Sequence, residues 1–159
     1  MAVTIEPAQP ADFPAVAALL AGQGLPLAGL EEHLATLLIA REGDQVVGSA
    51  GLEIYGTTAL LRSVAVMTTW QGQGLGQQLA TAALDLARAH GVREVYLLTE
   101  TASDFFPRLG FAPVARDAVA PAIQQSVEWT SACPVSAQAM VRHLESVPTP
   151  AAIQGVARG

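Results

Sequence analysis

Polar and apolar positions recur along the chain in short segments, each with its own period. Val3–Glu6 reads as a brief strand, and Pro10-Ala-Asp12-Phe-Pro14 announces a helix, with Asp12 placed to cap it and Pro14 tolerated in its first turn. That helix carries Phe13, Val16, Leu19 and Leu20, and Gly22 and Gly24 end it. After the Leu25-Pro26-Leu27 break, a second helical stretch runs from Gly29 to Thr36. Leu37–Arg41 and Gln45–Tyr55 are apolar, β-rich runs around Glu42-Gly43-Asp44, a hairpin turn, and Gly56-Thr57-Thr58 turns again into Ala59–Met67. With Thr57 and Thr58 as the loop, counting outward sets Glu53 opposite Arg62.

The period changes after Gly74. Leu75, Leu79, Ala82, Ala83 and Leu86 share one helical face through His90, while Gln77, Gln78, Thr81, Asp85 and Arg88 point elsewhere. Gly91 suits the residue after that helix. Glu94–Thr99 is an apolar strand, Thr101–Leu109 a short helix capped by Thr101 or Ser103, and Phe111–Arg116 a further strand. Residues 119–130 read as an inserted helical segment, and Ala137–Leu144 as a last strand. Residues 1–145 therefore form one domain, and the Pro-, Ala- and Gly-rich residues 146–159 a flexible tail. No repeat interrupts this order.

Composition narrows the function. The chain has 159 residues, 51% hydrophobic and 14% charged, so one domain with a sizeable core is expected. Mean hydropathy is +0.37, yet no apolar run approaches a membrane span, and no basic, then apolar, N-terminal leader marks the chain for secretion; the cytoplasm is the expected compartment. The single cysteine, Cys133, builds neither a disulfide nor a zinc site by itself, and no metal is expected. Net charge is −6 and all eight basic residues are arginines, with no basic stripe for nucleic acid. An anionic ligand must then be held by local geometry, backbone amides above all.

Val64-Ala65-Val66-Met-Thr-Thr-Trp70-Gln71-Gly72-Gln73-Gly74-Leu75-Gly76 supplies that geometry: a strand ends, a glycine-dense loop turns and an amphipathic helix begins. Glycines let successive N–H groups point inward, and the helix start adds its positive end, which makes a pyrophosphate site. A P-loop is excluded because there is no lysine, and Gly-x-Gly-x-x-Gly is missed because Gly76 comes one position early. What remains, Gln71-x-x-Gly74-x-Gly76, resembles the acyl-CoA signature of the GNAT superfamily of N-acetyltransferases. Phe105-Phe106-Pro-Arg108-Leu109-Gly110-Phe111 is similar to that superfamily's aromatic motif, one helix and one strand downstream.

The resemblance implies an α/β (α+β) fold, a central mixed, mostly antiparallel twisted sheet with helices on both faces. It implies acetyl-CoA as co-substrate, bound by Val64, Ala65, Val66, Gln71, Gly72, Gln73, Gly74, Leu75, Gly76, Phe105 and Phe106, with Arg108 either meeting its phosphates or merely exposed to solvent. A small-molecule amine would attack the acetyl group directly, with a backbone N–H near Val64 stabilising the oxyanion. A bulge would splay the Val64–Val66 strand from Glu94–Thr99 to seat the pantetheine arm. A homodimer is compatible with such a domain. Gly51-Leu-Glu53-Ile-Tyr55-Gly56, Leu61-Arg62-Ser63, Tyr96-Leu-Leu-Thr99 and Pro121-Ala-Ile-Gln-Gln-Ser126 further resemble acetyltransferases of arsenic-resistance operons. That narrower likeness implies a glutamate-like toxin, arsinothricin or phosphinothricin, as substrate.

The catalytic half is more open. Phe106 stands where many relatives carry a proton-donating tyrosine, which leaves water, Ser103, Thr99 or Tyr55 to protonate the thiolate, or no acid at all. Glu53 is the candidate base, with Tyr55 on the same strand face, or else it only pairs with Arg62. Arg62 alternatively clamps a substrate carboxylate, with Ser63 and Thr99 beside it. Gln124, Gln125 and Ser126 are either a polar lid or a plain surface helix. His33, His90 and His143 read as solvated or packing residues. Two other readings stand beside a small-amine enzyme: an acyl-CoA sensor that no longer transfers, and an enzyme acting on protein N-termini or lysines.

Overall fold

The computed structural model of the protein describes residues 3–99, 104–126 and 137–144. Seven strands, β1 (Thr4–Pro7), β2 (Leu37–Glu42), β3 (Gln45–Tyr55), β4 (Thr58–Val66), β5 (Glu94–Thr99), β6 (Ala112–Val114) and β7 (Gln138–His143), form one sheet. Its order is β1-β2-β3-β4-β5-β7-β6, with β4 and β5 parallel and every other pairing antiparallel. Among the described residues, four α-helices join them: α1 (Phe13–Gly22), α2 (Leu75–Ala89), α3 (Phe105–Arg108) and α4 (Pro121–Gln124). The expected mixed sheet with helices on both faces is thus the observed one.

Alternation along the strands decides which helix covers which face. Leu52, Ala59 and Leu61 point to one side, where Leu75, Leu79, Ala80, Ala83, Leu84 and Ala87 of α2 bury against them. The buried stripe of α2 is turned slightly from the expected one, since Ala80, Leu84 and Ala87 are buried while Ala82 and Leu86 are only half-buried. The other side divides. Val16 and Leu20 of α1 pack on Leu37, Ile39 and Ala65, whereas Ile123 of α4 packs on Leu60, Tyr96 and Ala139.

Several local expectations change. The stretch expected as a helix from Gly29 to Thr36 is a 3-10 turn over Glu31–Thr36, broken by a non-helical backbone at His33. Asp12 makes no side-chain cap to α1; its carboxylate accepts from the Gln9 N–H at 2.8 Å and from Arg41 at 2.7 Å. The Arg41 hydrogen bond, then the Gln9 N–H, hold that carboxyl below its ordinary value. The strand expected over Phe111–Arg116 shortens to Ala112–Val114, the helix over Thr101–Leu109 to Phe105–Arg108, and the helix over 119–130 to Pro121–Gln124 within the described part. Thr101, Ser103, Cys133 and the 146–159 tail lie outside the described residues.

The β3–β4 hairpin corrects the expected register. Its loop is Gly56-Thr57, with Tyr55 paired to Thr58 and glycine at φ +66°, as a two-residue turn with a positive first φ demands. Glu53 consequently faces Leu60, and Arg62 faces Gly51, so Glu53 and Arg62 are diagonal neighbours on one face. Diagonal positions lie roughly 7–8 Å apart at the backbone, a distance long side chains readily bridge.

Candidate active site

Two irregularities in β4 build the site. Its parallel pairing with β5 lasts only from Thr58 to Leu60, against Glu94 to Tyr96; beyond this the strands part, leaving a wedge between Arg62–Val66 and Leu97–Thr99. Near the wedge's vertex the β3–β4 register slips: Gly51 faces Arg62 but Ser49 faces Ala65. β4 therefore holds one extra residue, and Ser63 and Val64 have no partner in that register. Ser63 takes φ +60°, which costs a non-glycine residue of order 1–3 kcal/mol. Buried Ser49 fastens the bulge by donating to the Ser63 carbonyl at 2.7 Å, and Arg62 Nε donates to Ser63 Oγ at 3.2 Å. The extra residue also reassigns faces: Arg62 shares the face of Leu60, while Val64 and Val66 pack with the α2 cluster.

The glycine loop leaves the wide end of this wedge. Gly72 (φ +81°) and Gly74 (φ +84°) occupy backbone regions that side chains resist, and Gly74 is the residue before α2. A Cβ at either would meet no protein atom within 4 Å, so the loop is open on that side. Among the described residues, no hydrogen bond engages the N–H groups of Gly72, Gln73, Gly74, Leu75 or Gly76. Gln71 and Gln23 both donate to the Val66 carbonyl, at 3.0 and 2.6 Å, which ties the loop to the strand end and to α1. A groove of about 510 Å³ continues from Gly74 along Gln77, Gln78, Thr81 and Asp85. Open amides at a helix start suit a pyrophosphate.

Aromatic rings close the α2 side of the wedge. Phe105 lies against Gly76 and Val66, near 3.4 Å from where a Gly76 Cβ would sit. Phe106 meets Phe105 edge-on at 5.0 Å and Phe111 at 5.9 Å. Arg108 is 79% exposed and reaches Asp104 at 3.9 Å. Thr99 ends β5 in register with Gln138, across the wedge from the bulge.

On the opposite face, at the vertex, a buried polar cluster forms. Glu53 Oε2 accepts from Arg62 Nη1 at 2.7 Å, both side chains being almost wholly buried. Glu53 Oε1 accepts from the Tyr55 hydroxyl and from Ser126 Oγ, the latter at 2.7 Å. Arg62 also donates to the carbonyls of Ala28 (2.6 Å) and Pro26 (3.1 Å). Burial alone would raise the Glu53 carboxyl, but the hydrogen bonds from Tyr55, Ser126 and Arg62 outweigh it and hold it below its ordinary value. Burial first, then the hydrogen bond and charge of Glu53, push the Tyr55 phenol up to about 12. Glu53 is thus an ionised hub and Tyr55 a neutral hydroxyl.

Sequence reasoning placed Glu53, Tyr55 and Arg62 on one face, and the structure brings them together. It missed His33, whose Nε2 lies 3.8 Å from Glu53 Oε1 and whose ring meets Tyr55 edge-on at 6.1 Å. No local pattern signals this, because the kink that turns His33 inward is held from outside its turn: Thr36 Oγ1 donates to the Leu52 carbonyl at 2.5 Å. Ser126 was read only as part of a polar lid or a plain surface helix, and its bond to Glu53 spans 73 residues.

Comparison with known proteins agrees with this fold. The model of the Acetyltransferase (GNAT) family matches residues 7–111. An uncharacterized N-acetyltransferase of Chlorobaculum tepidum is 30% identical over 102 residues, 61% of this chain and 65% of the relative, so the chain spans just under two thirds of that protein. The N-acetylglutamate synthase of Neisseria gonorrhoeae, solved with coenzyme A and N-acetyl-glutamate, superposes with a TM-score of 0.78 at 24% identity, over 91% of this chain and 36% of that one. Rv2747 of Mycobacterium tuberculosis, solved with CoA, gives a TM-score of 0.76 at 23% identity, over 89% of this chain and 99% of that one. At these identities the two structures speak for the fold alone.

Proposed function

The chain belongs to the Acetyltransferase (GNAT) family, and from that premise we propose that it transfers acetyl from acetyl-CoA to the amine of a small, amino-acid-like compound. The observation that carries this reading is the wedge, where β4 leaves β5 after three residue pairs beside a bulge that unpairs Val64. The amides of Gly72–Gly76 would hold the pyrophosphate, and the pantetheine arm would run between the strands toward Val64. Phe105 and Phe106 would shield that arm from water. A Val64 N–H aimed into the wedge would stabilise charge developing on the acetyl oxygen.

The amine would approach from the Glu53 face, so donor and acceptor meet at the vertex through the gap between strands. Glu53 is too stabilised as an anion to be the direct base, and its part is to position Tyr55 and Arg62. Tyr55 is the hydroxyl we assign near the reacting atoms. Arg62 already serves Glu53, Ser63 and two loop carbonyls, so it would shape a carboxylate site through the 26–28 loop more than by a direct clamp. Ser63 and Thr99 flank the opening as substrate contacts, and Arg108, exposed beside Asp104, would swing toward cofactor phosphate from the surface. An amino-acid acceptor is supported by the fold neighbour solved with N-acetyl-glutamate, and a glutamate-like toxin by the resemblance to arsenic-operon acetyltransferases.

The test is purified protein with acetyl-CoA and a panel of L-glutamate, L-aspartate, phosphinothricin, arsinothricin, spermidine and a tetrapeptide, following free thiol. Thiol release with an amino-acid-like amine is expected. Release greatest with the tetrapeptide would make this a peptide acetyltransferase. Tight acetyl-CoA binding without release for any amine would make it a sensor, the reading that Phe106 favours by having no proton to give.

A further inference from the structure

We propose that His33 is the catalytic base that takes the proton from the incoming amine, an inference that rests on the transferase reading above. Among the described residues, four titratable side chains meet at the vertex: Glu53 and Tyr55 from β3, Arg62 from β4 and His33 from the 3-10 turn. Three of them are committed. Glu53 is buried and accepts from Arg62, Tyr55 and Ser126; Tyr55 donates to Glu53; Arg62 is a permanent cation. His33 differs, since its side chain is 26% exposed and so reachable by a substrate, while Nε2 lies 3.8 Å from Glu53 Oε1, the carboxylate that organises the vertex.

The backbone is built around this placement. His33 alone leaves helical geometry within its turn (φ −117°, ψ 24°). Its N–H donates to the Leu30 carbonyl at 3.0 Å, and its own carbonyl accepts from Thr36 Oγ1 at 3.2 Å. The same Thr36 hydroxyl reaches the Leu52 carbonyl, one residue from Glu53, so turn and strand are fastened where imidazole and carboxylate approach. Glu31 and Glu32, on the same turn, are exposed.

In the step itself, the imidazole takes one N–H proton from the substrate ammonium, leaving a lone pair on nitrogen. That pair forms the C–N bond to the acetyl carbon as the C–S bond breaks and sulfur leaves with its electrons. The second nitrogen proton passes to the thiolate or to solvent, and His33 returns its own to solvent. An imidazole suits this because it gains and loses a proton readily around neutrality.

The experiment uses the full chain, acetyl-CoA and whichever panel amine the wild type turns over fastest. His33→Gln should lower kcat/KM for the amine on the order of 100-fold at pH 7, with the acetyl-CoA dissociation constant changed less than twofold. The deficit should shrink as pH rises and the amine loses its proton unaided, the ionisation on the acid limb of the wild-type profile should vanish, and added imidazole should rescue His33→Ala. An active wild type whose pH profile and rate survive His33→Gln would overturn the proposal alone. A wild type that releases no thiol with any amine would overturn the transferase reading, and this inference with it.

Discussion

At the scale of single residues, the protein's unusual investment is a buried ion pair. Taking Glu53 and Arg62 out of water is costly, and the cost is met only because Tyr55, Ser126 and two loop carbonyls complete the hydrogen bonding. Arg62→Ala would strand the carboxylate, and it should cost about 3–5 kcal/mol in urea unfolding. A Glu53→Leu/Arg62→Met double variant should recover much of that loss, and an Arg62→Ala cost below about 1 kcal/mol would remove Arg62 from its role as organiser. The pH dependence follows from the same contacts. Glu53 is held below its ordinary 4.5, so its contribution is fully present above that pH and fades as pH falls through the lower folded value. Tyr55 is pushed from 10 to about 12, so its neutral form contributes fully below pH 10 and the contribution fades as pH rises toward 12. Stability measured against pH should flatten on the acid side in Glu53→Gln and on the alkaline side in Tyr55→Phe.

At the scale of elements, α2 must lie close to the sheet to present the glycine loop at the wedge. Gly48 makes this possible. A Cβ there would stand 2.7 Å from Leu79 Cδ1 and 3.2 Å from the Ala65 carbonyl. The leucine end can shift, but the backbone oxygen sits on the strand that carries the bulge. Gly48→Ala should therefore cost about 1–3 kcal/mol and, by tilting the start of α2, raise KM for acetyl-CoA more than for the amine. Thermal unfolding and steady-state kinetics on the same preparation check both halves. The 3-10 turn shows why element boundaries were hard to read: Glu31–Thr36 has helical composition, but its end is set by Thr36 reaching Leu52 across 16 residues.

For the molecule as a whole, net charge −6 without a lysine is an unusual background for a polyanionic co-substrate. Long-range electrostatics would oppose its approach, and in the proposed reading short-range amides at the Gly72–Gly76 turn would supply the binding. Salt screens the first far more than the second. Acetyl-CoA affinity measured by calorimetry should hold or improve between about 0.05 and 0.5 M NaCl, where the screening length shortens several-fold. A tenfold loss over that range would point to arginine–phosphate pairs, Arg108 first among them. A division between faces also belongs to this scale: α2 packs on one side of the sheet, and α1, the 3-10 turn and α4 on the other, so in the proposed reading the first would serve the cofactor and the second the amine.

The sequence by itself determined the order and type of most elements, the glycine turn that opens α2, and the family. These rest on local physics: alternation in strands, the 3.6-residue stripe of α2, and glycines where φ must be positive. It also put Glu53, Tyr55 and Arg62 together, because strand alternation and a short hairpin suffice for that. Only the tertiary structure decided the hairpin register, moved by a single residue of turn length, and the ionised, hub-like state of Glu53, which depends on Ser126 from far along the chain. His33 belongs to the same class. The partners of its imidazole ring are 20 and 22 positions away in the sequence, and only the packing of one turn on one strand brings an otherwise ordinary surface histidine to the vertex where the two substrates would meet.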